Sequence, residues 1–371
     1  MHKKRVAVID VGSSKVTAVI GERGINKTFI IKGSYSFDYD GYQDGVFFDE
    51  EQFKQVLHFA GDKIKKVLRG AIDTVYVGVP GDFVQVLIKE SQISFPKKKK
   101  ILESDVEALF DAAFVLSSSK YTLINRSAIV YELDDFRRLA YPVGAVSEIL
   151  KGNLSFSVCN NYFIELVKPA LSELGFSGVE FVSSMLAQSL YLIDAEVRDR
   201  IAVLIDVGYI STTLAIIHGD GIVYQKSFGY GGGYISASIV NKFGIDFEVA
   251  ESIKRKVNLS KKITSLSRDV VEADDGKYYP LDSVQVCVTS SLDELSEMIS
   301  DTLENSRYVI PEYVPLMITG GGIAYIRGAK EHLSGRLGMA VEVVAPRVPL
   351  MDKPTESTVL SIMDIALDQN I

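Results

Sequence analysis

Three short segments set glycine beside a carboxylate, or beside more glycine, in a way that suits phosphate chemistry: DVGSSK at Asp10, DVGYIS at Asp206 and ITGGG at Ile318. A glycine-bearing hairpin directs backbone N–H groups at phosphate oxygens. A carboxylate next to it can hold Mg2+ through water, because that ion keeps much of its hydration shell. The candidates are Asp10, Gly12, Ser13, Ser14 and Lys15 in the first segment, Asp206 and Gly208 in the second, and Gly320, Gly321 and Gly322 in the third. Lys15 adds a point charge. Each turn alone is more often only a turn, and it is the three together, in this order, that make a specific pattern.

The elements that must position these turns repeat along the chain. VAVIDVGSSKVTAVI from Val6 and AVLIDVGYISTTLAI from Ala202 each read as an apolar run, a tight glycine turn and a second apolar run, with the two aspartates 196 residues apart. Two such hairpins half a chain apart predict a duplicated fold. Phe53, Val56, Leu57, Ala60, Ile64, Val67 and Leu68 recur at helical spacing, with Gly70 as a stop. TVYVGVPG reads as a buried strand ended at Pro80-Gly81, and FVQVLIKESQISF as one or two more strands, with a break beginning at Pro96. Ser104 and Glu107 have capping-box spacing before a stripe of Val106, Leu109, Phe110 and Ala113. A compact insert over about 81–165 fits this stretch. A helical pattern over 160–174 is bent or begun late at Pro169 and closed by Gly175, leading to a strand at GVEFV. Beyond the second hairpin come FGYGGG, a helix near Ile235 to Phe243, a charged helix across Glu248 to Lys256, and the turn-rich DVVEADDGKYYPLD. A long helix over 291–306 and a final strand, glycine turn and helix complete the reading.

Composition excludes several classes. The chain has 371 residues, 47% hydrophobic and 24% charged, enough for two or three folding units with large cores. Its 48 acidic against 40 basic residues give a net charge of -8, so it lacks the positive field of a non-specific nucleic-acid binder. Cys159 and Cys287 form no CxxC and read as buried apolar thiols, and the four histidines have no metal-ligand spacing. Asp10 interrupts the first apolar run, and no run reaches the ~18 residues a membrane span needs. The chain is therefore expected to be cytoplasmic.

The three turns resemble the phosphate and adenosine loops of the actin, sugar-kinase and heat-shock ATPase superfamily. Within it the chain is most similar to the FtsA family of bacterial actin-like division proteins, on YDGYQDGVFFDEEQF, YVGVPGDFV, YELDDFRRLAYPVGAVSEILKG and FGYGGGYISASI with EVAESIKRK. The actin-like pilus-assembly family PilM shares the general plan. The resemblance implies an α/β, actin-like (ribonuclease H-like duplicated) fold with an FtsA-type 1C insert. It divides the chain into subdomain 1A at 1–80 and 166–200, 1C at 81–165, 2A at 201–243 and 309–371, and 2B at 244–308. ATP and Mg2+ would lie between the halves. By this resemblance Glu251 and Lys254 sit near ribose and adenine, the alternative being a solvated helix face, and Asp10 and Asp206 hold Mg2+ through water. The implied partners are the FtsZ C-terminal tail or another division protein, a membrane-protein peptide on the PilM reading, and further copies of the chain in dimers or filaments.

Three departures from the pattern qualify that expectation. Tyr209 and Ile210 stand where the second loop usually has two glycines, and Thr213 where it has an aspartate. Tyr and β-branched Ile resist close backbone approach and positive φ. Ser184, Met185, Leu186 and Ala187 replace a Glu-Pro-Leu-Ala segment, removing a carboxylate that could position water, a loss typically of ~10²- to 10⁴-fold in rate. Weak or absent nucleotide binding and, at most, very slow ATP hydrolysis are expected. Finally, Ser361 to Leu367 carries Asp364 inside its apolar pattern and is followed by Asp368, which fits a core helix better than the amphipathic membrane helix of the resembled family. Membrane contact, at the inner face, would then be indirect or through a tail lying beyond this sequence. Lys97 to Lys100 reads as a solvated loop or as a patch for lipid or a partner.

Overall fold

The computed structural model describes residues 5–25, 28–68, 74–114, 118–261 and 269–368. Gly70, expected as a helix stop, lies outside them. The first part of the chain forms β1 (Arg5–Val11), β2 (Lys15–Arg23), β3 (Phe29–Asp38), the short pair β4 (Tyr42–Gln43) and β5 (Val46–Phe47), α1 (Glu50–Leu68) and β6 (Thr74–Val79). Next come β7 (Val84–Lys100), α2 (Glu103–Ala113), β8 (Tyr121–Leu133), β9 (Arg138–Leu139) and β10 (Val146–Asn160). The chain then returns through α3 (Asn161–Ser172), β11 (Gly178–Ser183), α4 (Ser184–Leu192) and α5 (Ala195–Arg198). The second half is β12 (Ala202–Val207), β13 (Thr212–His218), β14 (Gly221–Phe228), α6 (Gly232–Phe243), α7 (Phe247–Lys256), β15 (Val270–Glu272), β16 (Tyr278–Pro280), α8 (Leu281–Ser306), β17 (Leu316–Thr319), α9 (Ala329–Leu337), β18 (Val341–Val343) and α10 (Ser357–Asp368).

The duplication is literal. One five-stranded sheet runs β11-β6-β1-β2-β3 and another β14-β13-β12-β17-β18, so β12 plays the part of β1 and β17 that of β6. In both, the central strand pairs antiparallel with the next strand in sequence and parallel with the later one. Asp10 stands opposite Thr17 and Gly78, and Asp206 opposite Thr213 and Thr319, the same register position in each half.

Both faces of these sheets are covered, which is why β1 and β12 read as nearly unbroken apolar runs. Strand alternation decides what each residue meets. Ala7, Ile9 and Val11 pack under α1 and α3, whereas Val6 and Val8 pack against α10. Val203, Ile205 and Val207 face the α6–α8 core, whereas Ala202 and Leu204 face α4. Counting on by two places Asp10 and Asp206 on the α10 and α4 faces, between the halves. α10 is buried along Val359, Leu360, Ile362, Met363 and Ala366, and Arg23 binds both Asp364 and Asp368. The acids that argued against a lipid face therefore have a partner within the protein.

A separate four-stranded sheet, β7-β10-β8-β9, with α2 on one face, has its own core around Ile101, Leu109, Leu133, Leu150 and Phe156. Several local expectations change here. β7 does not break at Pro96 but continues to Lys100. Pro96 falls between Ser94 and Lys99, where the ladder to β10 shifts register, so its missing N–H interrupts no regular pairing. Lys98 and Lys99 of the basic run pair with Asp134 and Asp105. Ser104 does not cap α2, because Asp105 Oδ2 accepts the Leu102 N–H at 2.9 Å and fixes the start two residues earlier. α3 begins at Asn161 and passes through Pro169, ending within a turn of it at Ser172. Helices α6 and α8 start before the expected positions, at Gly232 and Leu281. Among the described residues no helix is long and apolar enough to cross a membrane.

Candidate functional site

Between the two halves lies a cleft of about 1030 Å3, and all twelve predicted site residues line it. Asp10, Gly12, Ser13, Ser14 and Lys15 come from the β1–β2 hairpin, Asp206 and Gly208 from the β12–β13 hairpin, Glu251 and Lys254 from α7, and Gly320, Gly321 and Gly322 from the turn after β17.

The floor is acidic. The Asp10 carboxyl is pushed up to about 7 by burial and by the Asp206 charge, against a smaller opposing pull from Lys15. Burial also raises Asp206, opposed by the Gln188 amide, whose Nε2 donates to Asp206 Oδ2 at 2.7 Å. Two desolvated carboxylates that disfavour each other's charge fit a hydrated divalent cation, which would reverse the sign of that interaction. No group of three or more His, Cys, Asp or Glu that could hold a metal occurs among the described residues, so a cation here would keep most of its water. Gly320, at φ +90, closes the floor, since a Cβ there would overlap Asp206 Oδ1 and the Val207 carbonyl.

The two hairpin tips meet each other. Gly12 N–H donates to the Lys15 carbonyl and Gly208 N–H to the Ser211 carbonyl, which leaves two-residue tips at Ser13-Ser14 and Tyr209-Ile210. Neither Tyr209 nor Ile210 takes a positive φ. Their amides point across the cleft, and the Ser13 Oγ accepts from Tyr209 N at 3.2 Å and from Ile210 N at 3.0 Å. Ser13 is 6% exposed. Over the first tip lies the chain from Asp38 to Gly41, where Tyr39 N donates to the Ser14 carbonyl and Tyr39 Oη to the Gly12 carbonyl. Gly41 is at φ +94, and a Cβ on it would overlap the Ser13 carbonyl.

At the far wall Lys254 is 3% exposed, so α7 does not present it to solvent. Its Nζ binds Glu251 Oε2 at 2.7 Å, donates to the Gly232 carbonyl at 2.9 Å and lies 5.6 Å above the Tyr209 ring. Burial pulls Lys254 below its usual range, against the Glu251 charge. Burial raises Glu251, but Lys254 and hydrogen bonds from Lys254 and Ser236 outweigh it and leave Glu251 lowered. Ser184 lies beside the acidic floor: a Cβ on Gly78 would be 2.9 Å from Ser184 Oγ and 3.6 Å from Asp10 Oδ1. Ser184 Oγ has no hydrogen-bond partner among the described residues. The floor of the cleft thus pairs two carboxylates suited to a hydrated cation with a hydroxyl, and no carboxylate, at position 184.

Sequence reasoning missed Gln188, Tyr39 and Asp82. Gln188 is four residues from Ser184 on α4, so its face was inferable, but nothing marked it as the partner of an aspartate 18 residues away. Asp82 Oδ2 accepts from Ser211 Oγ at 3.2 Å, joining the entrance of the β7–β10 segment to the second hairpin.

A model of the family described as type IV pilus assembly protein PilM matches residues 179–270. Over 92% of its length the chain is 21% identical to the cell division protein FtsA of Pseudomonas aeruginosa, taking in 84% of that protein. It is also 21% identical to FtsA of Escherichia coli K12 over 68% of the chain and 60% of that protein. Among solved structures, a chain of the PilM–PilN type IV pilus biogenesis complex has a TM-score of 0.64 at 18% identity, with 98% of each chain covered. MreB5 of Spiroplasma citri bound to ADP has a TM-score of 0.55 at 14% identity, covering 99% of this chain and 97% of that one. The chain has the actin-like fold and is similar to FtsA over most of its length.

Proposed function

We propose that the chain is an FtsA-like, actin-fold adaptor of bacterial cell division that self-associates and binds a short segment of a partner such as the FtsZ C-terminal tail. Its ATP and Mg2+ binding is weakened or lost, and its hydrolysis is negligible. The observation that carries the nucleotide part is the second hairpin, whose Tyr209 and Ile210 amides are already satisfied by Ser13. A bound ATP·Mg2+ would bring phosphate oxygens and a cation to the floor. Asp10 and Asp206 would hold the cation through water, the first hairpin and Lys15 would meet phosphate, and the Gly320–Gly322 turn would back the nucleoside. With Ser184 where a water-positioning carboxylate is expected, turnover stays below roughly 1 s⁻¹, the low end of ordinary enzymes. The partner part is supported by similarity to FtsA across 92% of the chain. Titration of the full chain into a labelled FtsZ tail peptide tests it: saturable binding supports the reading, and no binding at high micromolar peptide removes this partner.

A second reading is a PilM-like scaffold that captures a membrane-protein peptide, favoured by the PilM family match at 179–270 and by the TM-score of 0.64. Preference for a pilus-protein N-terminal peptide over the FtsZ tail would select it.

A further inference from the structure

We infer that the two halves are tied together at the hairpin tips and the floor of the cleft by the chain's own side chains, with Ser13 standing in for a phosphate oxygen on the second hairpin and Gln188 standing in for a cation on Asp206. The inference rests on the reading above, in which nucleotide binding is weakened or lost, and adds what replaces it.

A serine hydroxyl has two acceptor lone pairs, so Ser13 Oγ can satisfy both tip amides at once, as an oxygen of a phosphate would. The donors are 196 and 197 residues further along the chain, so these bonds join the two halves directly. Tyr209 and Ile210 favour this arrangement. The tip stays at negative φ, and its amides converge on a neighbour instead of opening into a glycine cradle. The Tyr209 ring then packs on Phe247 and under Lys254. Gly41 lets the backbone of the Asp38–Gly41 segment lie close enough to Ser13 to hold it in place.

Gln188 does the complementary work below. Its Nε2 donates to Asp206 Oδ2 at 2.7 Å and to Thr358 Oγ1 at 2.9 Å, tying α4, β12 and α10 together at the floor. The positive end of the amide dipole meets the carboxylate where a cation would otherwise be needed. Gln188 is fully buried, and its Oε1 has no partner among the described residues, so the orientation that leaves an acceptor unsatisfied is retained in order to present the NH2 group to Asp206. Two further bonds fasten the same joint: Ser211 Oγ to Asp82 Oδ2 at 3.2 Å and Gln225 Nε2 to the Gly81 carbonyl at 3.3 Å. A nucleotide entering this cleft has to displace Ser13 before it reaches the second hairpin.

Hydrogen exchange of the full chain, resolved for the Tyr209 and Ile210 amides and for Ile205 as a core reference, tests the inference without reference to partner or turnover. In nucleotide-free protein both tip amides are expected to be protected, and about 1 mM ATP with Mg2+, where only ligands of millimolar Kd or tighter register, is expected to change them less than about twofold. Ser13→Ala removes two acceptor bonds and is expected to speed both amides by about tenfold or more with Ile205 unchanged. Gln188→Leu is expected to speed them about threefold or more through the loosened floor, on the same basis. Tip amides that exchange freely in the nucleotide-free wild type, or that ignore Ser13→Ala, overturn the inference, and indifference to Gln188→Leu removes Gln188 from it. If Ser13→Ala also speeds Ile205, the wild-type comparison decides. Tight ATP binding by calorimetry would instead defeat the weakened-nucleotide reading, whatever the nucleotide-free amides do.

Discussion

The carboxylate most informative to perturb is Asp82, which joins the two halves through Ser211 and whose Oδ1 has no partner among the described residues. Burial pushes its pKa up to about 6 from 3.8, with the Ser211 hydrogen bond pulling the other way and Asp44 adding to the rise. The folded protein therefore holds this proton more tightly than the unfolded chain does, and between about pH 4 and pH 6 stability falls as pH rises. Above pH 6 the whole penalty is present; well below pH 4 it is absent. A rise from 3.8 to about 6, with each tenfold change in proton affinity worth ~1.4 kcal/mol, gives roughly 3 kcal/mol of destabilisation at pH 7.5 and roughly 1 kcal/mol at pH 4.5. Asp82→Asn keeps an acceptor for Ser211 and never ionises. In urea unfolding followed by circular dichroism it should be more stable than the wild type by about 3 kcal/mol at pH 7.5, with the gain shrinking by about 2 kcal/mol at pH 4.5. An equal gain at both pH values would refute the linkage, and a loss at pH 7.5 would show that the ionised carboxylate stabilises this joint.

Two further outcomes follow from the same geometry. Lys254→Met leaves the half-buried Glu251 with only Ser236 and Arg255 as partners, and should cost about 3 kcal/mol, at the lower end for a broken buried pair, in the same unfolding assay. Gly41→Ala introduces a Cβ at φ +94 against the Ser13 carbonyl, so it should lower the melting temperature by more than the ~1–3 kcal/mol of backbone strain alone would, while Gly175→Ala, also at positive φ but with open space around it, should cost only the strain.

Much of the framework was legible because it is written in short-range pattern. The Asp-Val-Gly repeat fixed two hairpins, and strand alternation from Val6 or Ala202 places both aspartates toward the helices between the halves. The acids at Asp364 and Asp368 counted against a lipid face, although their partner, Arg23, was not visible from local sequence. Pro96 misled because a proline's meaning depends on whether its N–H faces a ladder, and the register shift opposite it is a property of two strands. What binds the cleft together was not legible at all. Ser13 meets Tyr209 and Ile210, and Gln188 meets Asp206 and Thr358, through contacts between segments as far as 197 residues apart, and no spacing rule encodes them. The substitutions at Tyr209 and Ile210 signalled that the second hairpin had changed, but not that its amides had found another acceptor.

The central claim is that this actin-like fold keeps its cleft without depending on nucleotide, and calorimetric titration of the full chain with ATP and Mg2+ tests it most directly. The account predicts no saturable heat up to about 1 mM ligand, a binding free energy weaker than about -4 kcal/mol. A saturable isotherm with a micromolar Kd, requiring the Tyr209 and Ile210 amides to leave Ser13 for phosphate, would contradict it.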